Sequence, residues 1–463
     1  MAEIVVVGAG PAGLMAALHS AQAGYRCTLL EAGETVGGMA GSFEIAGQRV
    51  DYGSHRLHPA TPERFLDLFR SLLGSDLQIR PRHGRIRLDG RWLAFPLRAG
   101  DMARNLPVSF SVHAALDAVT SPLRRRRMAG SLSFEDEVAR RLGPAVAREF
   151  YVPYARKLYG VEAGLLDREL AMRRVSASGA GDVLGRVVRA TRPRGRRFLY
   201  PRAGYGQLSE ALARAAVDAG VELRMRAAVC RVEAAGGGVA VCHDGGRIPA
   251  DVVLSTIAVP ALVRALEPAP PAEVQQALAR CRSRAVVLAY LVVGRDHFTP
   301  FDAHYFPGPE TRIARLSEPK NYRDGDDPPG QTVLCAEIPC WPGDELWRAS
   351  GDSIGEMVAG DLERIGLGVP EPWRVEVRRL PSVYPVYETA TAEARATVDS
   401  WLRSLVAERV VSLGRHGLGV LDNLHHMLAM GEAAASSVRP SGDVDAAAWS
   451  RSLDGFAEHA VED

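Results

Sequence analysis

A β-branched run, Ile4-Val5-Val6-Val7, leads directly into Gly8-Ala9-Gly10-Pro11-Ala12-Gly13, a GxGxxG turn, and Leu14 to Gln22 then reads as a helix. The next strand-like run, Arg26-Cys27-Thr28-Leu29-Leu30, ends in Glu31, 23 residues past Gly8. Glycine spacing by itself is a weak signal. The strand before it, the helix after it and the distant acid supply what a dinucleotide needs. These are a tight turn, backbone amides facing a pyrophosphate, a helix dipole behind them and a carboxylate for a ribose hydroxyl. Gly8, Gly10, Pro11, Ala12, Gly13, Glu31 and Ala32 are therefore the first candidate cofactor-binding residues.

At 463 residues the chain exceeds the size of one hydrophobic core, so two or three domains are expected. A formal charge of +1 argues against a nucleic-acid partner, which needs a concentrated basic face. Lysine occurs only at Lys157 and Lys320, leaving 54 of the 56 basic residues as arginine. That bias fits either a compositional preference or an anion-binding cleft, because arginine grips phosphate and carboxylate bidentately. The six cysteines (Cys27, Cys230, Cys242, Cys281, Cys335, Cys340) form no CxxC pair and read as reduced residues of a cytoplasmic protein without a disulfide framework. No apolar run reaches the ~18 residues of a membrane span, so no integral membrane segment is expected. Neither HxxxH nor HExxH occurs, and no metal is expected.

Along the chain, Phe134 to Phe150 shows apolar residues at helical spacing, and Arg124-Arg125-Arg126-Arg127 reads as a solvated helix face. Gly204-Tyr205-Gly206 precedes a helix from Gln207 to Ala219, followed by a strand at Val221 to Met225 and a hairpin around Gly236-Gly237-Gly238. Further strands are expected at Asp251 to Thr256, Ala285 to Val293 and Val410 to Leu413, and a helix at Asn423 to Ser437. The fold class that follows is α/β. Residues 1–85, 200–260 and 406–463 would assemble one Rossmann-like domain from discontinuous segments. Residues 86–199 would form a helical insertion, and residues 261–405 an inserted α+β substrate-binding domain.

The run after Glu31 distinguishes between cofactors. Gly37-Gly38-Met39-Ala40-Gly41 places a glycine pair six residues past the acid, permitting close approach by a longer ligand. Val50-Asp51-Tyr52-Gly53-Ser54-His55 is a second strand ending in small and polar residues. These two runs resemble the amine-oxidase, protoporphyrinogen-oxidase and UDP-galactopyranose-mutase group of FAD proteins. Three later segments extend the resemblance: Tyr154-Ala155-Arg156-Lys157-Leu158-Tyr159-Gly160, Glu318-Pro319-Lys320-Asn321-Tyr322, and Gly414-Arg415-His416-Gly417-Leu418 with Asp422-Asn423. The resemblance implies FAD, with Gly38, Met39, Ala40, Gly53, Ser54, His55, Val229, Gly414, Arg415, Asp422, Asn423 and Leu424 completing its site. It also implies a helix N-terminus facing the flavin edge where negative charge develops. Covalent members use a cysteine near the last turn; none follows Cys340, so noncovalent FAD is expected.

Flavin oxidation of a C–H bond needs a stacked substrate, a hydride path and usually a base or polarising group. His55 is the first catalytic candidate, although hydrogen bonding to backbone or cofactor would explain it equally. Lys320 is the second, as flavin contact or base, against a salt bridge; Lys157 carries the same ambiguity. Lys157, Tyr384, Tyr387 and His425 are candidates for the substrate pocket.

The resulting expectation is an FAD-dependent oxidoreductase removing a hydride from carbon next to nitrogen or oxygen, or desaturating C–C. Its substrate would be a small amine, sugar or anionic metabolite, with O2 or another acceptor reoxidising the flavin. A redox-neutral enzyme similar to UDP-galactopyranose mutase is the alternative, although Gly53-Ser54-His55-Arg56-Leu57 lacks the Pro-His pairing of that branch. A non-catalytic flavin-binding protein is a third reading. Oligomeric state is open.

Overall fold

The computed structural model describes residues 2–461 except 59, 96–100, 102–103, 107–109, 111–112, 114–115, 118–119, 121–132, 176–196, 236–237 and 369. The arginine run at 124–127 and the tip of the expected hairpin at 236–237 lie outside the described residues.

A five-stranded parallel sheet organises the nucleotide end. Its strand order is Val410–Ser412, Val252–Ser255, Glu3–Val7, Arg26–Leu30 and Glu222–Arg224, so three distant stretches of chain meet in one sheet. Both faces are covered, which is why the first strand is continuously apolar instead of alternating. Ile4 and Val6 pack with helices Pro11–Gln22, Gln207–Asp218 and Leu424–Ser436. Val5 and Val7 face the other cluster, built from the antiparallel strands at 229–250 and from helices Ala272–Arg280 and Ala392–Ser404. These two helices fall within the stretch 261–405, so that stretch contributes to the nucleotide unit as well as to the second sheet.

The second sheet has seven strands in the order Pro372–Pro385, Ser283–Val293, Thr332–Cys340, Arg315–Ser317, Ala303–Tyr305, Gly84–Leu88 and Arg91–Phe95. Alternation along Ser283–Val293 divides its two faces. Ala285, Val287, Ala289 and Leu291 pack toward helix Gly351–Arg364, whereas Val286, Leu288 and Tyr290 pack toward the hairpin Ser42–Ile45/Gln48–Asp51. The hairpin Gly84–Leu88/Arg91–Phe95 corrects the expectation of a mainly helical stretch from residue 86. The alternation in Arg85-Ile86-Arg87-Leu88 buries Ile86 on one side, a strand pattern, and the pair extends the large sheet. Helices Phe134–Leu142, Val152–Tyr159 and Arg168–Arg174 form a separate apolar cluster against this sheet. Among the described residues no helix is long and apolar enough to cross a membrane.

Candidate active site

A cavity of about 530 Å³ runs between the parallel sheet, the large sheet and the helical part. At one end lies the glycine turn. Gly8 adopts φ +97°, a left-handed conformation that suits glycine, and its amide donates to the Leu30 carbonyl at 2.8 Å. Gly13 does not line the cavity. A Cβ there would collide with the Gly8 carbonyl, so this glycine allows helix Pro11–Gln22 to press against the turn. Gly10 has nothing within 4 Å of where its Cβ would be, leaving space for a ligand against the backbone. Glu31 spans the turn, accepting the Ala9 amide at 2.8 Å and the Gly33 amide at 2.7 Å.

The middle of the cavity is built by the hairpin that ends at Asp51. Asp51 is buried and accepts from Ser42 Oγ at 2.6 Å, from the Tyr205 amide at 3.0 Å and from the Tyr200 hydroxyl. Burial outweighs these bonds and raises its carboxyl above the usual range. The Tyr290 hydroxyl donates to the Asp51 carbonyl at 2.6 Å, and the Ser54 amide donates to Glu337 Oε1 at 2.7 Å. The segment Gly53–His55 is thereby tied to two neighbouring strands of the large sheet.

His55 lines the cavity with its ring stacked on Tyr205, centroids 5.1 Å apart. Burial, with Arg315 and Arg415 nearby, pushes its imidazole down to about 3, so it is neutral at physiological pH and weakly basic. Glu337 is held bidentately by Arg315 at 2.8 Å through both contacts. Tyr384 also lines the cavity, with burial raising its hydroxyl pKa.

The far end comes from the last strand of the parallel sheet. Ser412 Oγ donates to the Gly417 carbonyl at 2.6 Å, fixing the turn at Gly414–Leu418. Asn423 and His426 form a reciprocal cap at the start of helix Leu424–Ser436, whose first residues line the cavity. Arg415 donates to the Val383 carbonyl at 2.7 Å, while its Nε is buried without a partner among the described residues. Burial and the neighbouring Arg174 lower its pKa.

The expected cofactor residues Gly8, Gly10, Pro11, Ala12, Glu31, Ala32, Gly38, Met39, Ala40, Gly53, Ser54, His55, Val229, Gly414, Arg415, Asp422, Asn423 and Leu424 all line this one cavity. Four other expectations need correction. Lys320 is not a lining residue: its ammonium donates to the Pro328 and Gln331 carbonyls at 2.9 and 3.0 Å, with Asp296 at 3.4 Å, and so ties down the neighbouring loop. Lys157 donates to the Phe306 and Ile313 carbonyls at 2.5 and 3.1 Å, clamping the helical part to the large sheet, and burial lowers its pKa to about 8. The Tyr387 hydroxyl donates to the Gly419 carbonyl at 3.0 Å, away from the cavity. His425 is buried beside His426, ring centroids 4.1 Å apart, and is likewise not a lining residue.

The sequence reading missed Arg56, Arg82, Arg174, Arg315, Tyr205 and Glu337, all of which line the cavity. The arginine excess was the one signal for the four arginines, and composition does not say where a side chain lands; Tyr205 and Glu337 carried no signal.

Among the described residues one grouping could offer metal ligands: Asp422, His426 and His459, whose ligand atoms lie within 4.8 Å of one another. The His426 and His459 rings are stacked at 3.9 Å and 17°, so their in-plane lone pairs run in nearly parallel planes and do not converge on one ion. The grouping instead surrounds a carboxylate with two imidazoles. Burial opposes the Asp422 charge, but His426 and His459 beside it hold its carboxyl below the usual range.

A parallel sheet with a glycine turn, an acid at the second strand and an elongated cavity closed by a second helix N-terminus defines a dinucleotide-binding α/β enzyme of the flavin type. The space at Gly10 and the unpartnered Arg415 Nε fit such a cofactor. Residues 11–415 match the family of flavin-containing amine oxidoreductases, and the chain belongs to that family as a flavin-dependent oxidoreductase. It is 28% identical over 467 residues to the phytoene dehydrogenase of Streptomyces griseus, covering 85% of this chain and 84% of that protein. The structure of reduced UDP-galactopyranose mutase superposes with a TM-score of 0.78 at 19% identity, covering 100% of both chains. Putrescine oxidase bound to putrescine gives a TM-score of 0.63 at 16% identity, covering 94% of this chain and 98% of that one. The likeness to these two solved structures is one of fold.

Proposed function

We propose that the protein holds FAD without a covalent bond and removes a hydride from a carbon atom of a small organic anion. The observation that carries this reading is the continuity of the cavity, which joins Gly10 and Glu31 to His55, Tyr384 and Arg415. A mononucleotide would leave much of that length empty, whereas FAD has an adenosine end for Glu31 and a ring for the Gly53–His55 and Arg415 end. The N-terminus of helix Pro11–Gln22 would take the pyrophosphate, and that of Leu424–Ser436 the electron-rich edge of the ring. Among the described residues no cysteine lines the cavity, which supports noncovalent binding. When bound, the flavin supplies a two-electron acceptor, with O2 or another acceptor taking the electrons onward.

The chain's own groups support a substrate that needs no strong base. His55, pushed down to about 3, serves as a neutral hydrogen-bonding wall, and Glu337 is neutralised by Arg315. Five arginines line the same cavity; Arg56 is paired with Asp302 and Arg315 with Glu337, so it is Arg82, Arg174 and Arg415 that favour an anionic substrate over an amine cation. The relative named phytoene dehydrogenase supports C–C desaturation as one form of the reaction.

The test is anaerobic mixing of the flavin-loaded protein with carboxylated and phosphorylated metabolites, amines and UDP-sugars. The expected result is loss of the flavin's visible band with one anionic compound, and peroxide or transfer to a dye on reoxidation. A redox-neutral, UDP-galactopyranose mutase-like enzyme is the second reading, favoured by the arginine lining, which also suits a diphosphate. Turnover of a UDP-sugar only after prior reduction, with no net electron transfer, would replace the first reading with the second.

A further inference from the structure

Val461 lines the cavity, yet it belongs to a short segment beyond helix Ala446–Ala457, far from every motif that builds the cofactor site. Its side chain is 9% exposed and joins Leu158, Ala314 and Leu421 in one apolar cluster. All four residues line the cavity, with Tyr154 and Tyr384 packed against the same cluster. The cavity thus has an apolar wall facing a lining rich in arginine, and Val461 is the piece of that wall supplied by this segment.

Two contacts fix the segment. The Val461 amide donates to the Arg173 carbonyl at 2.7 Å, joining it to the helix Arg168–Arg174. Two residues earlier, His459 stacks on His426 at 3.9 Å, lies 5.3 Å from the Phe456 ring, and sits with Nδ1 3.6 Å from Asp422 Oδ1. Asp422 itself lines the cavity and immediately precedes the cap of Leu424–Ser436. The segment therefore bridges the helical part and the nucleotide unit across the cavity, clasped at both ends.

We infer that Val461, held in place by the segment His459–Val461, forms part of the wall at the substrate end of the cavity and is a specificity-determining residue for the size of the apolar part of the substrate. The inference rests on the cavity being the flavin and substrate site. A larger side chain at 461 narrows the space beside Leu158 and Leu421. A smaller one, or loss of the His459 clasp, opens it.

The experiment titrates flavin-loaded protein carrying Val461→Trp, Val461→Ala or His459→Ala with butanoate and with decanoate, anions that differ in the length of their apolar part, and reads binding from the change in the flavin band. Val461→Trp is expected to weaken decanoate relative to butanoate by about tenfold, and the other two variants to strengthen it by about threefold, at unchanged flavin per chain. A decanoate-to-butanoate ratio equal to wild type in all three variants at full flavin content, or a wild-type protein that binds neither anion, would overturn the inference. A wild-type protein that takes up no flavin would instead overturn the proposed function. Because Val461→Trp can disturb packing, hydrogen exchange of the 459–461 amides supplies a second readout. His459→Ala is expected to raise their exchange, and exchange equal to wild type would show that no such clasp exists.

Discussion

Arg315 grips Glu337 through two bonds of 2.8 Å, and the same carboxylate accepts the amide of Ser54 at 2.7 Å. One partly buried ion pair thereby fastens the large sheet to the backbone that lies between Gly53 and His55. Glu337→Gln keeps the shape of the side chain but leaves the guanidinium without its counter-charge, and should destabilise the fold by about 3 kcal/mol. Urea unfolding measures this, and flavin retention should fall with it. Replacing both partners with Arg315→Met and Glu337→Leu should recover part of the loss.

The two glycines Gly10 and Gly13 are predicted to separate cofactor binding from folding. Gly10 has φ −74° and ψ 174°, which any residue adopts, and open space at its Cβ. Gly10→Val should therefore fold with stability within about 1 kcal/mol of wild type but lose flavin. Gly13→Val should cost stability outright, by about 3 kcal/mol, because it wedges the helix from the turn. Absorbance of bound flavin and denaturant midpoints, measured side by side, check both.

Lys320→Met is expected to lower stability by about 2 kcal/mol, through loss of charged hydrogen bonds to two carbonyls. Flavin content and the rate of flavin reduction should stay at wild-type values. A fall in reduction rate at full flavin content would return Lys320 to the reaction.

His304 makes acid sensitivity predictable. Burial, aided by Arg85, lowers its pKa from 6.5 to about 3. Below pH 6.5 the unfolded chain takes up a proton that the folded site refuses until about pH 3, so stability falls as pH drops through that window. His304→Phe should remove about 2 kcal/mol of the loss between pH 6.5 and about 5, read as a flatter pH dependence of the urea midpoint.

Local signals made the nucleotide end legible in the sequence. The strand Ile4–Val7, the turn at Gly8–Gly13 and the acid Glu31 are consecutive, and their geometry follows from neighbours in the chain. The parallel sheet also followed, because Val252–Ser255 and Val410–Ser412 are short apolar runs of the kind that sheets bury on both faces. The substrate end was less legible because its groups come from separate elements: Arg174 from a helix, Arg315 and Glu337 from two strands, Val461 from beyond the last helix. Lys320 and Lys157 misled because rarity was read as chemistry. Each is rare and half-buried, and each spends its ammonium on backbone carbonyls. The hairpin Gly84–Leu88/Arg91–Phe95 straddles the expected boundary at residue 86, because alternation over only five residues per strand is a weak signal.

The most direct test of the account is the ratio of FAD to chain in the purified or reconstituted protein, with the chromophore then released by acid. The expected result is about one FAD per chain, matching this cavity, recovered entirely in the acid supernatant, and absent from Gly10→Val. A colourless wild-type protein that binds no FAD on reconstitution, or a chromophore that precipitates with the chain, would contradict it.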